Sequence, residues 1–358
     1  MTFIKFVFAV FAASLVGSIP ALAQQPQPSA SQPSPGSTSR RIQLDVVVDT
    51  KLDQPVTNLH QQDFTILDNK SPRPITAFKL VSAKQEPVEV ILLIDAVNTP
   101  FNLVAYMRDE TVKFLKANDG KLAHPTTIAV LRDQGIQLTD GFSTDGNSLS
   151  NALQGYNIGL RSINRDSQWS ENDRLALSIR ALHQITTYAS SLPGRKFIIW
   201  ISPGYPLLSG PGYQLTAKQE QQVFNDIVSF SSQLRQARIT LYDVNPIGVS
   251  QSVFGANYYQ TFLKGVARPE DAQFGEVGIQ VLSVQTGGLT IESNSDVDGM
   301  IERCLADADS WYEIAFEPPP ADKPNEYHHI EVRLDQPGLT ARTRTGYYGN
   351  PAAIDSPH

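Results

Sequence analysis

The chain has a single cysteine, Cys304, among 358 residues, so no disulfide can form within it and its stability must come from burial. It has no basic cluster either. Its 36 acidic residues outnumber 29 lysines and arginines, for a formal net charge of −7. That balance argues against nucleic acid or an anionic membrane surface as partner. Beyond the N-terminus no apolar run approaches the ~20 residues that a membrane span needs, so no membrane insertion of the mature chain is expected. A phosphate loop, a nucleotide-binding glycine pattern, a His-Glu-x-x-His pair and a nucleophile elbow are all missing. The histidines are scattered, and the adjacent His328 and His329 lie in a strand-like segment, where neighbours point to opposite faces and cannot converge on one metal. No catalytic constellation is visible and no cofactor is expected. Cys304 falls in a helical apolar pattern with Met300, Ile301 and Leu305, which reads as a small buried core residue rather than a reactive thiol.

What is present begins with a leader. Lys5 precedes an apolar run from Phe6 to Val16, then small residues and the sequence Ala21-Leu22-Ala23. These are the three parts of a secretory signal. Residues 1–23 are expected to be a cleavable signal peptide, because the run is too short to span a bilayer and is broken by Gly17 and Pro20. Removal of Lys5 takes the net charge from −7 to −8, and the mature protein is expected in the periplasm or outside the cell. Residues 24–39 are Gln, Pro and Ser with almost no apolar content, as in a disordered linker.

Three strand-like segments follow in 40–83, at Ile42–Asp49, Phe64–Leu67 and Ile75–Val81, separated by turn residues. From Val88 the pattern changes. Val88–Ile94 and Phe197–Ile201 are continuous apolar runs of the kind covered on both faces. Further strands are expected at Thr127–Leu131, Ile136–Leu138, Ile239–Asp243 and Leu289–Ile291. Helical patterns alternate with them near Pro100–Lys116, Asn147–Leu153, Asn172–Leu192, Ala217–Gln236, Glu276–Gln285 and Val297–Asp307. Such alternation predicts an α/β domain over 84–308, with a mostly parallel, Rossmann-like sheet wrapped by helices. In 309–350 three more strand patterns appear, at Trp311–Phe316, Tyr327–Leu334 and Leu339–Tyr347. They should pack with 40–83 as one small antiparallel β module, since neither end segment looks able to fold alone.

The order of elements from Val88 to Asp307 resembles that of the von Willebrand factor A (VWFA) domain, including the short edge strand at Ile136 and the aspartate closing the first buried strand. Asp63-Phe-Thr-Ile-Leu-Asp-Asn69, Leu93-Ile-Asp-Ala-Val-Asn-Thr-Pro100, Gly194-Arg-Lys-Phe-Ile-Ile-Trp-Ile-Ser-Pro-Gly204 and Arg344-Thr-Gly-Tyr-Tyr348 are similar to segments of exported bacterial VWFA-related proteins. The resemblance implies a divalent-cation site at the carboxyl ends of the strands, built from an Asp-x-Ser-x-Ser loop, a threonine and a second aspartate. By position these map to Asp95, Thr99, Ser170 and Ser202, with two departures: Val97 stands where a serine ligand is expected and Pro203 where an aspartate is. A hard cation wants oxygen donors, so the site reads as degenerate and any Mg²⁺ would be held weakly. Ser170 also reads as a helix N-cap, and Asn98 could add a carbonyl oxygen. Asp243 either faces the same crevice or starts a loop as a cap. The aromatic stretch Phe254, Tyr258, Tyr259 and Phe262 is either a local core or a contact surface. The function implied is adhesion-type binding of a protein partner that the sequence does not name. An envelope hydrolase and a structural role in envelope assembly are the alternatives.

Overall fold

The computed structural model describes residues 41–156, 168–204, 214–246, 258–292 and 296–351. The expected leader and linker lie outside the described residues, as do Phe254 and the side chains of Ser170 and Tyr258.

Fifteen strands and six α-helices are described. Those of the central sheet are β5 (Glu89–Asp95), β6 (Lys121–Arg132), β7 (Gly135–Leu138), β8 (Ser143–Asp145), β9 (Lys196–Ile201), β10 (Ile239–Asn245) and β11 (Thr290–Glu292). The sheet order is β11-β10-β9-β5-β6-β7, with β8 pairing β6. The strands β11, β10, β9, β5 and β6 are parallel, and β7 and β8 run antiparallel to β6. The order turns around between β5 and β9, which is the switch point of a doubly wound sheet.

Alternation along the covered strands explains the two layers of helices. Ile91 and Leu93 of β5 and Ile198 and Trp200 of β9 face one core. That core is completed by Leu182 and Ile185 of α3 (Gln168–Ser190) and by Phe224, Ile227 and Phe230 of α4 (Ala217–Gln236). Val90, Leu92 and Ile94 face the other side. They meet Met107 and Leu115 of α1 (Phe101–Lys116), Leu149 and Leu153 of α2 (Gly146–Gly155), and Met300, Ile301 and the buried Cys304 of α6 (Val297–Leu305). The remaining helix, α5 (Ile279–Gln285), packs on β10. Local chemistry sets the helix starts: Asp145 caps α2 and Thr216 forms a capping box with Gln219 at α4.

The two ends of the described chain interleave. The strands β1 (Ile42–Thr50), β2 (Phe64–Asp68), β3 (Ser71–Arg73) and β4 (Ile75–Ser82) come from one end. From the other come β12 (Ser310–Phe316), β13 (Glu326–Leu334), β14 (Leu339–Arg342) and β15 (Gly346–Gly349). They form two four-stranded antiparallel sheets, β14-β1-β12-β4 and β15-β13-β2-β3. Between them lie Leu44, Val46, Val48, Phe64, Ile66, Tyr312, Ile314 and Phe316. Pairing is a physical necessity here. The inner face of β1 offers Ile42, Leu44, Val46 and Val48, each contributing about 1.5–3 kcal/mol when buried, against an ordering cost of roughly 1–2 kcal/mol for every residue fixed. The strand alone cannot offset its own order.

Leu339–Tyr347, expected as one strand, is two. β14 pairs β1 and β15 pairs β13, so the chain crosses between sheets at Thr343–Thr345. There Thr343 lies so close to Gly287, which has φ +90°, that a Cβ on Gly287 would sit 2.7 Å from the Thr343 carbonyl carbon. Asp307 ties the crossover to the α/β layer. It is buried and accepts from Arg342 Nη1 and Nη2 at 2.6 and 2.7 Å and from Tyr242 Oη at 2.8 Å. His328 and His329 do take opposite sides of β13: His328 is buried, 2.8 Å from Asp68 through Nδ1, while His329 is exposed.

Candidate functional site

Asp95 is the last residue of β5 and Ser202 follows the last residue of β9. Ile94 pairs with Ile201, so Asp95 and Ser202 leave the sheet as neighbours at the switch point, where a doubly wound sheet opens its crevice. Thr99 sits in the turn between β5 and α1, and the backbone of Ser170 lies in the first turn of α3. Asp95, Thr99 and Ser202 are each fully buried.

The immediate surroundings of Asp95 are made of nitrogen donors. Its Oδ1 accepts from the backbone N–H of Val97 at 3.0 Å and of Asn98 at 2.9 Å. Its Oδ2 accepts from Asn98 Nδ2 at 2.7 Å and from Trp200 Nε1 at 3.0 Å. Asn98 Nδ2 also donates to Ser178 Oγ at 2.8 Å, and Ser178 donates in turn to the carbonyl of Arg174 at 2.8 Å. Burial pushes the Asp95 carboxyl upward from its ordinary range, and the bonds from Asn98, Trp200 and Val97 oppose that push. The Ser202 hydroxyl accepts from the Gly204 N–H at 2.9 Å.

These residues do not fit a divalent cation. A carboxylate has about four acceptor positions, and four N–H groups reach Asp95. Val97 brings no oxygen, and Pro203 brings none where a carboxylate would be needed. Asn98 Oδ1 is a buried oxygen with no partner among the described residues, but one amide oxygen and the neutral hydroxyls of Thr99 and Ser202 fall short of an octahedral set without a free carboxylate. Among the described residues no group of three histidine, cysteine, aspartate or glutamate side chains could hold a metal. The arrangement serves instead as a polar clamp joining β5, β9 and α3 at the floor of the crevice.

A second aspartate stands at the same edge. Asp243 of β10 pairs with Trp200 of β9 and is fully buried. Neither of its carboxyl oxygens has a hydrogen-bond partner among the described residues, so the capping role expected for it is not seen there. Burial, with Glu292 nearby, holds its carboxyl well above the ordinary range. Tyr259 is half-buried near Glu292 and Asp243, both of which raise its phenol after burial itself. Phe262 packs on Gly275, where a Cβ would meet its ring at 2.4 Å. Of the aromatic stretch, Phe262 thus belongs to a local core.

Trp200, Ser178 and Arg174 were not singled out from sequence. Trp200 did carry a signal: an indole N–H within an otherwise aliphatic covered strand must find an acceptor, and Asp95 closing the adjacent strand is one. Ser178 and Arg174 lie mid-helix in α3 with no local mark.

No family model matches the chain and no curated protein matches it. Among solved structures it is similar to the manganese-loaded Plasmodium vivax TRAP protein at 10% identity, over 77% of this chain and 98% of that one, with a TM-score of 0.36. The pilus adhesin SpaC from Lactobacillus rhamnosus GG gives 8% identity over 81% and 42%, with a TM-score of 0.37. A mutant form of the PilB minor pilin from Streptococcus sanguinis gives 10% over 63% and 62%, at 0.35. The chain thus spans less than half of the SpaC structure. Likenesses at this level assign neither family nor function; strand order and site chemistry have to carry any functional reading. No helix among the described residues is long and apolar enough to cross a membrane.

Proposed function

We propose that this chain is a VWFA-related binding module of an exported protein, contacting a protein partner through the loops at the carboxyl edge of its parallel sheet without a bridging metal. The observation that carries this reading is the sheet order β11-β10-β9-β5-β6-β7 with an antiparallel edge strand and Asp95 and Ser202 beside its switch point. That is where an open α/β sheet receives ligands. The metal is left out because Asp95 already accepts four N–H bonds. The half-buried Tyr259 beside Glu292 supplies the aromatic and acidic character of a contact edge.

The test is site-directed photo-cross-linking in the producing cell. A photoreactive residue replaces the exposed Gln260, next to Tyr259, or the exposed Ser191, which precedes β9 at the opposite edge. The expected result is a discrete protein adduct from position 260 that survives chelator, and none from position 191. Equal adducts at both positions, none at 260, or loss of the adduct with chelator would overturn the proposal.

A further inference from the structure

At the amino edge of the same sheet, far along β10 from Asp243, a cavity of about 200 Å³ opens where the end of α4, the start of β10, β1 and the β14–β15 crossover meet. Its lining includes Arg41, Arg235, Arg238, Arg344 and Thr343, with Asp45 as its one acidic side chain. That carboxylate is already engaged. Asp45 is 2.8 Å from Arg238 Nη2 and 3.8 Å from Arg195 Nε, and Arg238 also holds Glu86 at 2.9 Å and Glu313. Arg238 is thus surrounded by carboxylates, whereas Arg235 and Arg344 are not.

Arg344 is only 8% exposed, yet no carboxylate, carbonyl or hydroxyl among the described residues accepts a bond from its guanidinium. The half-buried Arg235 lines the same cavity, likewise with no hydrogen-bond acceptor for its guanidinium among the described residues and with the Tyr347 phenol nearby. Burial and the adjacent charge of Arg235 push Arg344 down to about 10, against the pull of Asp45. Arg235 is lowered by burial as well. The hydroxyl of Thr343 is buried with no hydrogen-bond partner among the described residues. Two like charges brought together out of bulk water are costly unless an anion answers them, and the backbone gives Arg344 little freedom to leave. Next to it, Thr345 N–H donates to the Gln285 carbonyl at 3.1 Å and the Thr345 carbonyl accepts from Ile330 N–H at 2.9 Å.

From this geometry we infer an anion site in which Arg344 and Arg235 clamp a phosphate-type dianion, with Thr343 offering a hydroxyl. Charge decides the class. Two unanswered guanidinium groups match a dianion, and their planar forks suit the tetrahedral oxygens of phosphate through paired N–H bonds. A single carboxylate would leave one arginine uncompensated. The cavity volume exceeds what a lone ion fills, which leaves room for a small phosphomonoester as well as for free phosphate. The site lies at the opposite edge from the proposed protein contact and does not depend on it.

The experiment is thermal unfolding of the full chain, titrated with inorganic phosphate and with sodium chloride at matched ionic strength. Parallel titrations use glycerol phosphate and succinate. The expected result is a rise of several degrees with phosphate that chloride and succinate do not reproduce. Arg344→Met should abolish that rise while melting, in phosphate-free buffer, no lower than the parent, because it removes a buried unanswered charge. Arg235→Gln keeps the proposal testable should Arg344→Met not fold, and it should weaken phosphate binding about tenfold or more. Glycerol phosphate binding as tightly as phosphate assigns the site to a phosphomonoester; much weaker binding assigns it to the free ion. Equal responses to phosphate and chloride, an equal response to succinate, or an undiminished phosphate response in both variants would overturn the assignment.

Discussion

Asp95 and Arg344 are both buried charged side chains, set at opposite edges of one molecule, and their surroundings differ in kind. At the carboxyl edge Asp95 accepts from two backbone N–H groups, Asn98 and Trp200, so every lone pair faces a donor and nothing is left to offer a ligand. At the amino edge Arg344 and Arg235 share a cavity, and neither guanidinium donates a hydrogen bond to any of the described residues. Buried charge alone therefore does not mark a binding site. A charge whose hydrogen-bonding capacity is filled by its own fold is a structural joint, and one left unfilled beside open volume is a place for a ligand. Asp243 is a third case: no donor reaches it among the described residues, and burial favours its neutral form.

The largest expected effect tests whether Asp95 is such a joint. Asp95→Ala orphans four N–H donors in a buried place, and each unsatisfied donor costs about 1–3 kcal/mol with partial relaxation. A loss of about 3–5 kcal/mol in urea unfolding is expected, with the midpoint falling and the slope unchanged. A loss below about 1 kcal/mol would erase the contrast between the two edges, because the network would then be holding nothing.

Next comes pH dependence, which tests the unanswered acid at Asp243. Burial raises Asp243, and it also raises Glu276 from 4.5 to about 7, against backbone hydrogen bonds and alongside the nearby Asp271. Where the folded carboxyl binds its proton more tightly than the unfolded one, the stabilisation is complete below the unfolded pKa and is lost as pH rises through the folded value. Stability should thus fall with rising pH at up to about 1.4 kcal/mol per unit for each such group, and for Glu276 by roughly 3 kcal/mol in all between pH 4.5 and about 7. Glu276→Gln should flatten that window. Asp243→Asn, an imitation of the neutral acid, should flatten the slope that begins near 3.8. Unfolding titrations from pH 4 to 8 decide it, and parallel profiles for parent and variants would contradict the neutral form of both groups.

How much of this was legible in the sequence depends on which force set each feature. The covered strands showed themselves, because Val88–Ile94 and Phe197–Ile201 are apolar on both faces and nothing but a two-sided sheet buries such runs. Asp95 was legible as the residue closing the first of them. Of its partners, Trp200 left one mark, an indole N–H in an aliphatic run that needs an acceptor, whereas Ser178 left none, since it reaches Asn98 only through the packing of α3 on the sheet. Nor did the pattern of Leu339–Tyr347 show the crossover at Thr343–Thr345, since no glycine or proline stands there to mark a break. The arginine pocket lies beyond sequence reading too. Arg41, Arg235 and Arg344 are far apart in the chain, and only the interleaving of both ends around β10 brings them to one cavity.

A smaller effect sharpens the role of the tryptophan. Trp200→Phe keeps most of the ring volume and deletes one donor to Asp95 Oδ2, leaving Asn98 Nδ2 as the other. A hydrogen bond to a charged group is worth about 1.5–3 kcal/mol, so a loss near 2 kcal/mol is expected. The variant should also shift Asp95 further upward, because one of the bonds opposing its burial is gone. A loss of that size that stays constant between pH 4 and 8 would assign the effect to packing rather than to the carboxylate.

The smallest effect expected is that of a divalent cation. To reach Asp95, Mg²⁺ would have to displace the Trp200 or Asn98 side chain from Oδ2, or break the backbone bonds to Oδ1. In return it would gain few oxygens, since Val97 and Pro203 supply none. A cation binding only the folded state at 100 times its dissociation constant would add about 2.7 kcal/mol. The filled acceptor positions predict less than ~1 kcal/mol at saturating Mg²⁺. Calorimetry in chelator and in Mg²⁺ makes the measurement, with the Asp95→Ala variant as reference. A rise of several degrees in the parent that the variant lacks would mean that Asp95 releases its donors to take a metal, and the carboxyl edge would then be the open one. A small rise common to both would belong elsewhere on this acidic surface and would leave the contrast between the two edges as it stands.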